Sequence, residues 1–241
     1  VIQRFSEDID LNLQADKKPS ESQRKRMKSS IIQVVEELQF QLMNPEDVRS
    51  RREYNRYMID YPSSVSADYL KEQLIVETAI YQRAYPTRKL KADSLIYQFL
   101  TQNGFDEYVE QYDLHPFELN VQTAERTMID KIYALADYYL LGTTAEHSRH
   151  IYDIYKLSDI VEVNESLKEL AASVAEERKP HKMSLSVQDG VKTGEVLRQI
   201  IADRIYEDDY EQITNPLLFE DVSYQQAIAA LENILQSGLF D

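Results

Sequence analysis

Two aspartates lie two residues apart in a segment whose apolar residues indicate a β-strand. Asp8 and Asp10 alternate with Ile9, Leu11 and Leu13. Side chains two residues apart in a strand point to the same side, so the carboxylates share one face and the apolar side chains the other. Aspartate is rare in strands and like charges on one face repel, so the pair weakens the strand. Two parallel carboxylates do, however, suit a hard divalent cation.

A third carboxylate extends this hypothesis. Glu77 follows the apolar run Leu74-Ile75-Val76 in another predicted strand, and Glu7 stands directly before Asp8. Carboxylates grouped in this way can hold a hard divalent cation such as Mg²⁺. The alternative is that Asp8 and Asp10 lie on a solvated edge strand, where their charges prevent pairing with the edge of another sheet. Glu77 could likewise be a charge on an edge strand.

Two later segments carry further candidates at helical spacing. Lys131 lies in the first, and Arg149 and Asp153 lie one turn apart in the second. Each of these residues could instead have a purely structural role. Lys131 and Asp153 would form a solvated salt bridge worth at most about 1 kcal/mol, and Arg149 with Asp153 would stabilise a helix by about 0.3 kcal/mol. His147 and His150 are interpreted as surface residues rather than catalytic bases, and the acidic run 207–209 as a solvated helix end.

The elements that must position these residues predict an α+β fold that becomes all-helical after Ala124. Ser20 and Gln23 form a predicted capping box for a first helix that runs to Asn44-Pro45. Apolar runs predict strands at 54–61, 70–80 and 116–121. Helical spacing and the stop at Gly142 predict helices across 124–142, 151–160, 164–178, 193–207 and 223–237.

Composition limits the classes of protein to which the chain can belong. Its 241 residues are 43% hydrophobic and 10% aromatic, which is typical of a folded protein large enough for a substantial core. It contains no cysteine, which excludes disulfides and thiolate metal sites. No apolar run is as long as a membrane span, so we expect no membrane association and a cytoplasmic location.

Charge is distributed unevenly along the chain. The net charge is −15, yet residues 1–100 contain 16 basic and 15 acidic side chains, which leaves 11 basic and 27 acidic ones for the remainder. A nucleic-acid partner should therefore meet the N-terminal part. The alternative is that these cations belong to ordinary solvated surfaces. The N-terminal cations cluster at Arg24, Lys25, Arg26, Lys28, Arg49, Arg51 and Arg52.

The order and spacing of four segments closely resemble the nucleotidyltransferase AbiEii/AbiGii toxin family of bacterial type IV toxin–antitoxin (abortive infection) systems. This family belongs to the DNA polymerase β-like nucleotidyltransferase superfamily, and the resemblance extends over essentially the whole chain. The segments are RFSEDIDL (4–11), LIVETAI (74–80), ERTMIDKIYAL (125–135) and SRHIYDIYKL (148–157).

The resemblance implies a role for each candidate. Asp8 and Asp10 match the family's Asp-x-Asp strand and Glu77 its third acidic position, which together would hold Mg²⁺, with two ions as the expected number. Lys131 matches the conserved lysine that would neutralise the triphosphate of an NTP substrate, with Arg149 as a second nucleotide-binding residue. Asp153 matches the last carboxylate, which would orient Lys131 or activate the acceptor hydroxyl.

Two departures from the family accompany these matches. The Gly-Gly/Ser stretch that grips the phosphates upstream of the Asp-x-Asp strand has no counterpart, because the chain begins at Val1. Many members also carry an acidic residue where this chain has His150. We therefore expect an N-terminally incomplete nucleotidyltransferase core over residues 1–122, a mixed sheet with flanking helices, and a helical domain over 123–241.

The resemblance implies an enzyme: a Mg²⁺-dependent nucleotidyltransferase toxin with a cognate antitoxin. The acceptor would be a hydroxyl of an RNA, such as a tRNA 3′ end, or of a protein. The alternative is a catalytically inactive interaction protein that retains the nucleotidyltransferase fold.

Overall fold

A four-stranded mixed sheet lies at the centre of the N-terminal part of the chain. The computed structural model describes residues 2–6, 8–13, 19–62, 73–80 and 86–240. The strand order is β1-β4-β3-β2, with β1 parallel to β4 and the other pairs antiparallel, which confirms the predicted mixed sheet. The strands are β1 (Asp8–Leu11), β2 (Gln41–Leu42), β3 (Tyr54–Asp60) and β4 (Gln73–Ala79).

Helix α1 (Glu21–Glu37) begins at the predicted capping box but ends earlier than predicted. The Ser20 side chain accepts the N–H of Gln23, whose side chain accepts the N–H of Ser20. The helix ends at Glu37 rather than at Asn44-Pro45 because Gln39 takes a left-handed φ of 58°. The N–H of Phe40 then bonds the carbonyl of Val35, as in a Schellman motif, and the chain turns into β2.

One face of the sheet packs against α1, and this fixes where the carboxylates point. Tyr57, Ile59 and Val76 form a small buried core with Val35 and Val48. Because side chains alternate along a strand, the residues between them lie on the opposite face of the sheet.

The pairing of β1 with β4 gives the two aspartates a common face. Asp8 lies opposite Ile75 and Asp10 opposite Glu77, so both aspartates lie on the face away from α1. The prediction that Ile9 and Leu11 share the other face holds, but β1 is an edge strand and they remain 45% and 40% exposed.

The C-terminal region is helical, as predicted. Gly142 and Gly238, with φ of 69° and 75°, follow the ends of the fourth and ninth helices. A π-helical turn, Tyr210–Thr214, follows the eighth. After α1 the helices are α2 (Leu95–Gln102), α3 (Asp106–Gln111), α4 (Ala124–Leu141), α5 (Arg149–Ser158), α6 (Glu165–Arg178), α7 (Thr193–Ala202), α8 (Glu207–Asp209) and α9 (Tyr224–Gln236).

The chain divides into two compact units. One combines Val1–Arg83 with Ala124–Asp241, so the sheet and the C-terminal helices belong together, and the other is Ala84–Thr123. The second contains the hairpin of β5 (Thr87–Ala92) and β6 (Phe117–Gln122) together with α2 and α3. A domain boundary at 122/123 stays a prediction. No helix within the described ranges is long and apolar enough to span a membrane.

Candidate active site

The carboxylates of β1 and β4 lie close enough to affect one another. Asp10 and Glu77 are directly opposed across the parallel pair, and Asp8 lies on the same face. Burial and the charges of Asp8 and Glu77 raise the pKa of Asp10, against the opposing charges of Lys131 and Arg149. Like charges disfavour ionisation at such a site, so the three acids form one electrostatic cluster.

Two cations from the helical region face this cluster. Arg149, the first residue of α5, places its Nη2 3.4 Å from Oδ2 of Asp8. The charge of Lys131, in α4, lowers the pKa of Asp10, as does the charge of Arg149. Side chains far apart in sequence therefore meet at one place.

Asp153 is held at the base of this arrangement by two cations. Its carboxylate is fully buried, and Arg4 forms a bidentate contact with it through Nε at 2.7 Å and Nη2 at 2.8 Å. Nζ of Lys131 lies 2.7 Å from Oδ2. Burial alone would raise the pKa of Asp153, but the charges of Lys131 and Arg4 outweigh burial and hold that pKa well below its usual range. The buried geometry excludes the alternative of a solvated salt bridge.

The segment that carries Arg4 is tied to the C-terminal helical region. Arg4 pairs with Leu218 in an isolated β-bridge, and the N–H of Phe5 donates to the carbonyl of Leu217 at 2.9 Å. The rings of Phe5 and Phe219 meet edge to face with centroids 4.9 Å apart. These contacts fix the start of β1 against the residues that precede α9.

The prediction that the two histidines of the last motif are surface residues is wrong. Both are half-buried, and their rings lie parallel to that of Tyr138, with the His147 and Tyr138 centroids 3.5 Å apart. Nδ1 of His150 lies 3.4 Å from Nζ of Lys131. Burial and the charge of Lys131 lower the pKa of His150 well below its usual value. A neutral His150 can accept a hydrogen bond from the Lys131 ammonium.

Arg4, Asp209 and Tyr138 are residues of the site that sequence reasoning missed. Asp209 is more than a solvated helix end, because its carboxylate accepts the main-chain N–H groups of Glu146 and Ser148 at 2.7 and 3.0 Å just before α5. Arg4 is 149 residues from its partner in sequence, and Asp209 is about 60 residues from its partners. No local spacing pattern predicts contacts between residues so far apart. Asp209 holds the start of α5 and thereby the residues that begin this helix.

The oxygen-only donor set of the cluster fits Mg²⁺, which prefers carboxylates completed by phosphate oxygens and water. Among the described residues, no three Asp, Glu or His side chains are gathered into a complete metal site by themselves. Glu77 also lies 3.7 Å from Nε of Arg56, and Glu7 falls outside the described residues. The carboxylates fit a metal that arrives with a phosphate-bearing ligand better than one held by protein alone.

The family described as Nucleotidyl transferase AbiEii toxin, Type IV TA system matches residues 1–236 of the chain. The chain belongs to this family. Comparison with curated proteins and with solved structures found no match. A family of this type supplies the toxin of a toxin–antitoxin pair, so a cognate antitoxin is implied for this AbiEii-family chain.

Proposed function

We propose that this AbiEii-family chain is a Mg²⁺-dependent nucleotidyltransferase that transfers a nucleotide from an NTP to a hydroxyl of an RNA, such as a tRNA 3′ end, or of a protein. The observation that carries the proposal is the meeting of Asp8, Asp10 and Glu77 with Lys131 and Arg149 in one cluster. Carboxylates for metal and cations for phosphate are the two requirements of this chemistry.

The proposed reaction needs no covalent enzyme intermediate. The acceptor oxygen attacks the α-phosphorus of the NTP, a new P–O bond forms, and the bond to the β-phosphate breaks to release pyrophosphate. The proton of the hydroxyl passes to a carboxylate of the strand face. Mg²⁺, when bound by Asp8, Asp10 and Glu77, would neutralise phosphate charge and align the attacking and leaving oxygens.

Lys131 is suited to bind the triphosphate because its ammonium is already oriented. One N–H points to Asp153 and another to His150, which leaves the third for a phosphate oxygen. Arg149, half-buried beside Asp8, adds a second cation at the edge of the carboxylates. Orienting these charges before the substrate arrives lowers the cost of reorganisation during transfer.

The surroundings of Asp153 favour one of the two roles that the resemblance implies. A general base works best when its pKa lies near the working pH, whereas Lys131 and Arg4 hold the pKa of Asp153 well below the usual range. Both of its oxygens already accept hydrogen bonds. We therefore assign Asp153 to positioning Lys131 rather than to accepting the hydroxyl proton.

The decisive experiment incubates the protein with each α-labelled NTP, Mg²⁺, total RNA and total protein. Asp10→Ala is the test variant, and Asp60→Ala, at the exposed end of β3, is the matched control. We expect label on RNA or protein with the wild type and the control, and none with Asp10→Ala. Absence of transfer with every NTP and acceptor would instead favour the inactive interaction protein.

A further inference from the structure

A cluster of cations lies on the sheet face opposite the carboxylates. It combines the first two turns of α1 with the segment 46–52, which together hold seven basic residues against three acidic ones. The rest of the chain is strongly acidic, since the whole carries a net charge of −15. We call this surface the basic cleft; its cations are Arg24, Lys25, Arg26, Lys28, Arg49, Arg51 and Arg52.

The cleft is built on the end of β4. Arg24, Lys28 and Arg52 line it, and Asn55 and Thr78 from the sheet form part of its floor. Thr78 directly follows Glu77, whose side chain is on the other face, so the cleft and the carboxylate cluster occupy the two faces of the same strand end.

The segment 46–52 is held firmly against this floor. The side chain of Asn55, only 8% exposed, accepts the main-chain N–H of Arg49 at 2.7 Å. The buried Val48 packs into the small core beneath α1. The cations of this segment are therefore presented from a fixed backbone.

Several of these cations donate hydrogen bonds to main-chain carbonyl oxygens instead of pairing with carboxylates. Lys28 donates to the carbonyl of Val48 at 2.6 Å, Arg24 to that of Arg51 at 3.3 Å and Arg52 to that of Asp47 at 2.7 Å. A carbonyl satisfies a donor but does not neutralise its charge. Within the described residues, Glu21 is the carboxylate that pairs with cations here, through Lys25 at 3.2 Å and Arg51 at 3.7 Å.

One donor of the cleft has no acceptor in the part of the chain that the structure describes. Nε of Arg24 is buried and without a hydrogen-bond partner among the described atoms. A buried donor in this state is costly, and an acceptor that enters beside it would reduce the cost.

We propose that the basic cleft binds the phosphodiester backbone of a single-stranded nucleic acid. A single phosphate would leave most of the cations uncompensated, whereas a strand supplies one charge per nucleotide along the cleft. Five of the seven cations are arginines, whose planar fork matches phosphate oxygens in pairs. Binding through this surface does not require the transfer reaction, so it is measured without NTP or metal.

The test is fluorescence anisotropy of short labelled single-stranded RNA and DNA, titrated over a range of salt. The cleft variant is Arg24→Gln with Arg52→Gln. The control is Lys168→Gln with Lys182→Gln, which removes the same charge from the exposed surface of α6 and of the loop that follows it. Thermal melts check folding, and the single variant Arg52→Gln replaces the double variant if the latter unfolds, since Arg52 is exposed and bonds a surface carbonyl.

We expect the wild type and the control to bind RNA with affinity that falls as salt rises. The cleft variant should bind more weakly, and the slope of log K against log salt should fall by about 0.7 for each phosphate that the variant no longer neutralises. Equal affinity for DNA supports the proposal, because the phosphodiester is shared. Equal weakening in both double variants, unchanged binding in the cleft variant, or displacement of RNA by a polyglutamate peptide as readily as by unlabelled RNA would overturn it.

Discussion

Asp10 on β1 and Glu77 on β4 are directly opposed in two parallel strands, so that two like charges face the same side of the sheet. Partial burial, followed by the charges of Asp8 and Glu77, raises the pKa of Asp10, although part of its side chain remains exposed to solvent. A sheet selected for stability alone would not place like charges opposite one another. The arrangement suits the metal- and phosphate-binding role that we propose for this site.

Replacing Asp10 with asparagine should therefore make the folded protein more stable near neutral pH. The folded state disfavours the ionised form of Asp10, so its contribution is unfavourable at pH 7 and disappears as the pH falls below the unfolded value, near 4, where the group is protonated in both states. We expect Asp10→Asn to melt at a higher temperature than the wild type at pH 7, with the difference shrinking as the pH approaches 4 and in high salt.

Asp60→Asn is the matched control for this measurement, because Asp60 lies at the exposed end of the neighbouring strand β3. It should change the melting temperature little. A melting temperature of Asp10→Asn at or below that of the wild type at pH 7 would mean that the clustered charges do not weaken the sheet.

The same carboxylate should control metal binding. Because phosphate oxygens complete the coordination shell of Mg²⁺ or Mn²⁺, the metal should bind weakly alone and more tightly with NTP. We expect Mn²⁺ titrations with NTP present to show much weaker binding for Asp10→Ala than for the wild type. The variant should also abolish growth inhibition on expression while its circular dichroism is unchanged. Equal titrations would refute the metal assignment.

Local patterns are enough to predict the strand carboxylates and most helices. The alternation of Asp8 and Asp10 with apolar residues indicates a strand, and the capping box of Ser20 and Gln23 indicates where α1 begins. The end of α1 cannot be predicted in the same way. Residues 38–42 continue an apolar pattern that suits a helix or a strand, and only the left-handed turn at Gln39 ends the helix.

The contacts that assemble the site cannot be predicted from local patterns, because they join distant parts of the chain. Arg4 reaches Asp153 across 149 residues, and it carries no motif that distinguishes it from other arginines. The polar neighbours of His150 in sequence indicate a surface position. Its burial depends on Tyr138 and Lys131 of α4, whose packing against α5 is a tertiary event.

The buried contacts of Asp153 should contribute strongly to stability. Asp153→Asn would leave the half-buried Arg4 and Lys131 without the buried carboxylate that they share, and breaking a buried pair in this way typically costs about 3 kcal/mol or more. We expect a lower free energy of unfolding at pH 7, measured with urea. Glu162→Gln, on the exposed surface after α5, is the control and should behave as the wild type.

The cost of Asp153→Asn should also depend on pH. The pKa of Asp153 is depressed in the folded state, so its contribution is complete above the unfolded value, near 4, and is lost as pH falls below it. The difference between wild type and variant should therefore narrow in acid. A difference that stays constant from pH 7 to pH 3 would mean that the ion pairs are not its source.

His150 should make the free energy of unfolding depend on pH in a higher range than Asp153 does. Burial and the charge of Lys131 lower its pKa, with Arg149 and His147 acting in the same direction and Asp153 opposing them. The unfolded chain therefore takes up a proton near pH 6.5 that the folded chain does not, and stability that is complete above this pH is lost as the pH falls.

We expect His150→Gln to reduce this loss between pH 7.5 and pH 5, by up to about 1.4 kcal/mol per pH unit, the contribution of one proton. Urea unfolding at a series of pH values measures it. His147 stays in place in the variant, so its smaller effect cancels in the comparison. His115→Gln, an exposed histidine next to Glu110, serves as the control and should follow the wild type. Parallel pH profiles for the wild type and His150→Gln would show that His150 is protonated to the same extent in the folded and unfolded states. The assignment of a neutral His150 that accepts a hydrogen bond from Lys131 would then be wrong.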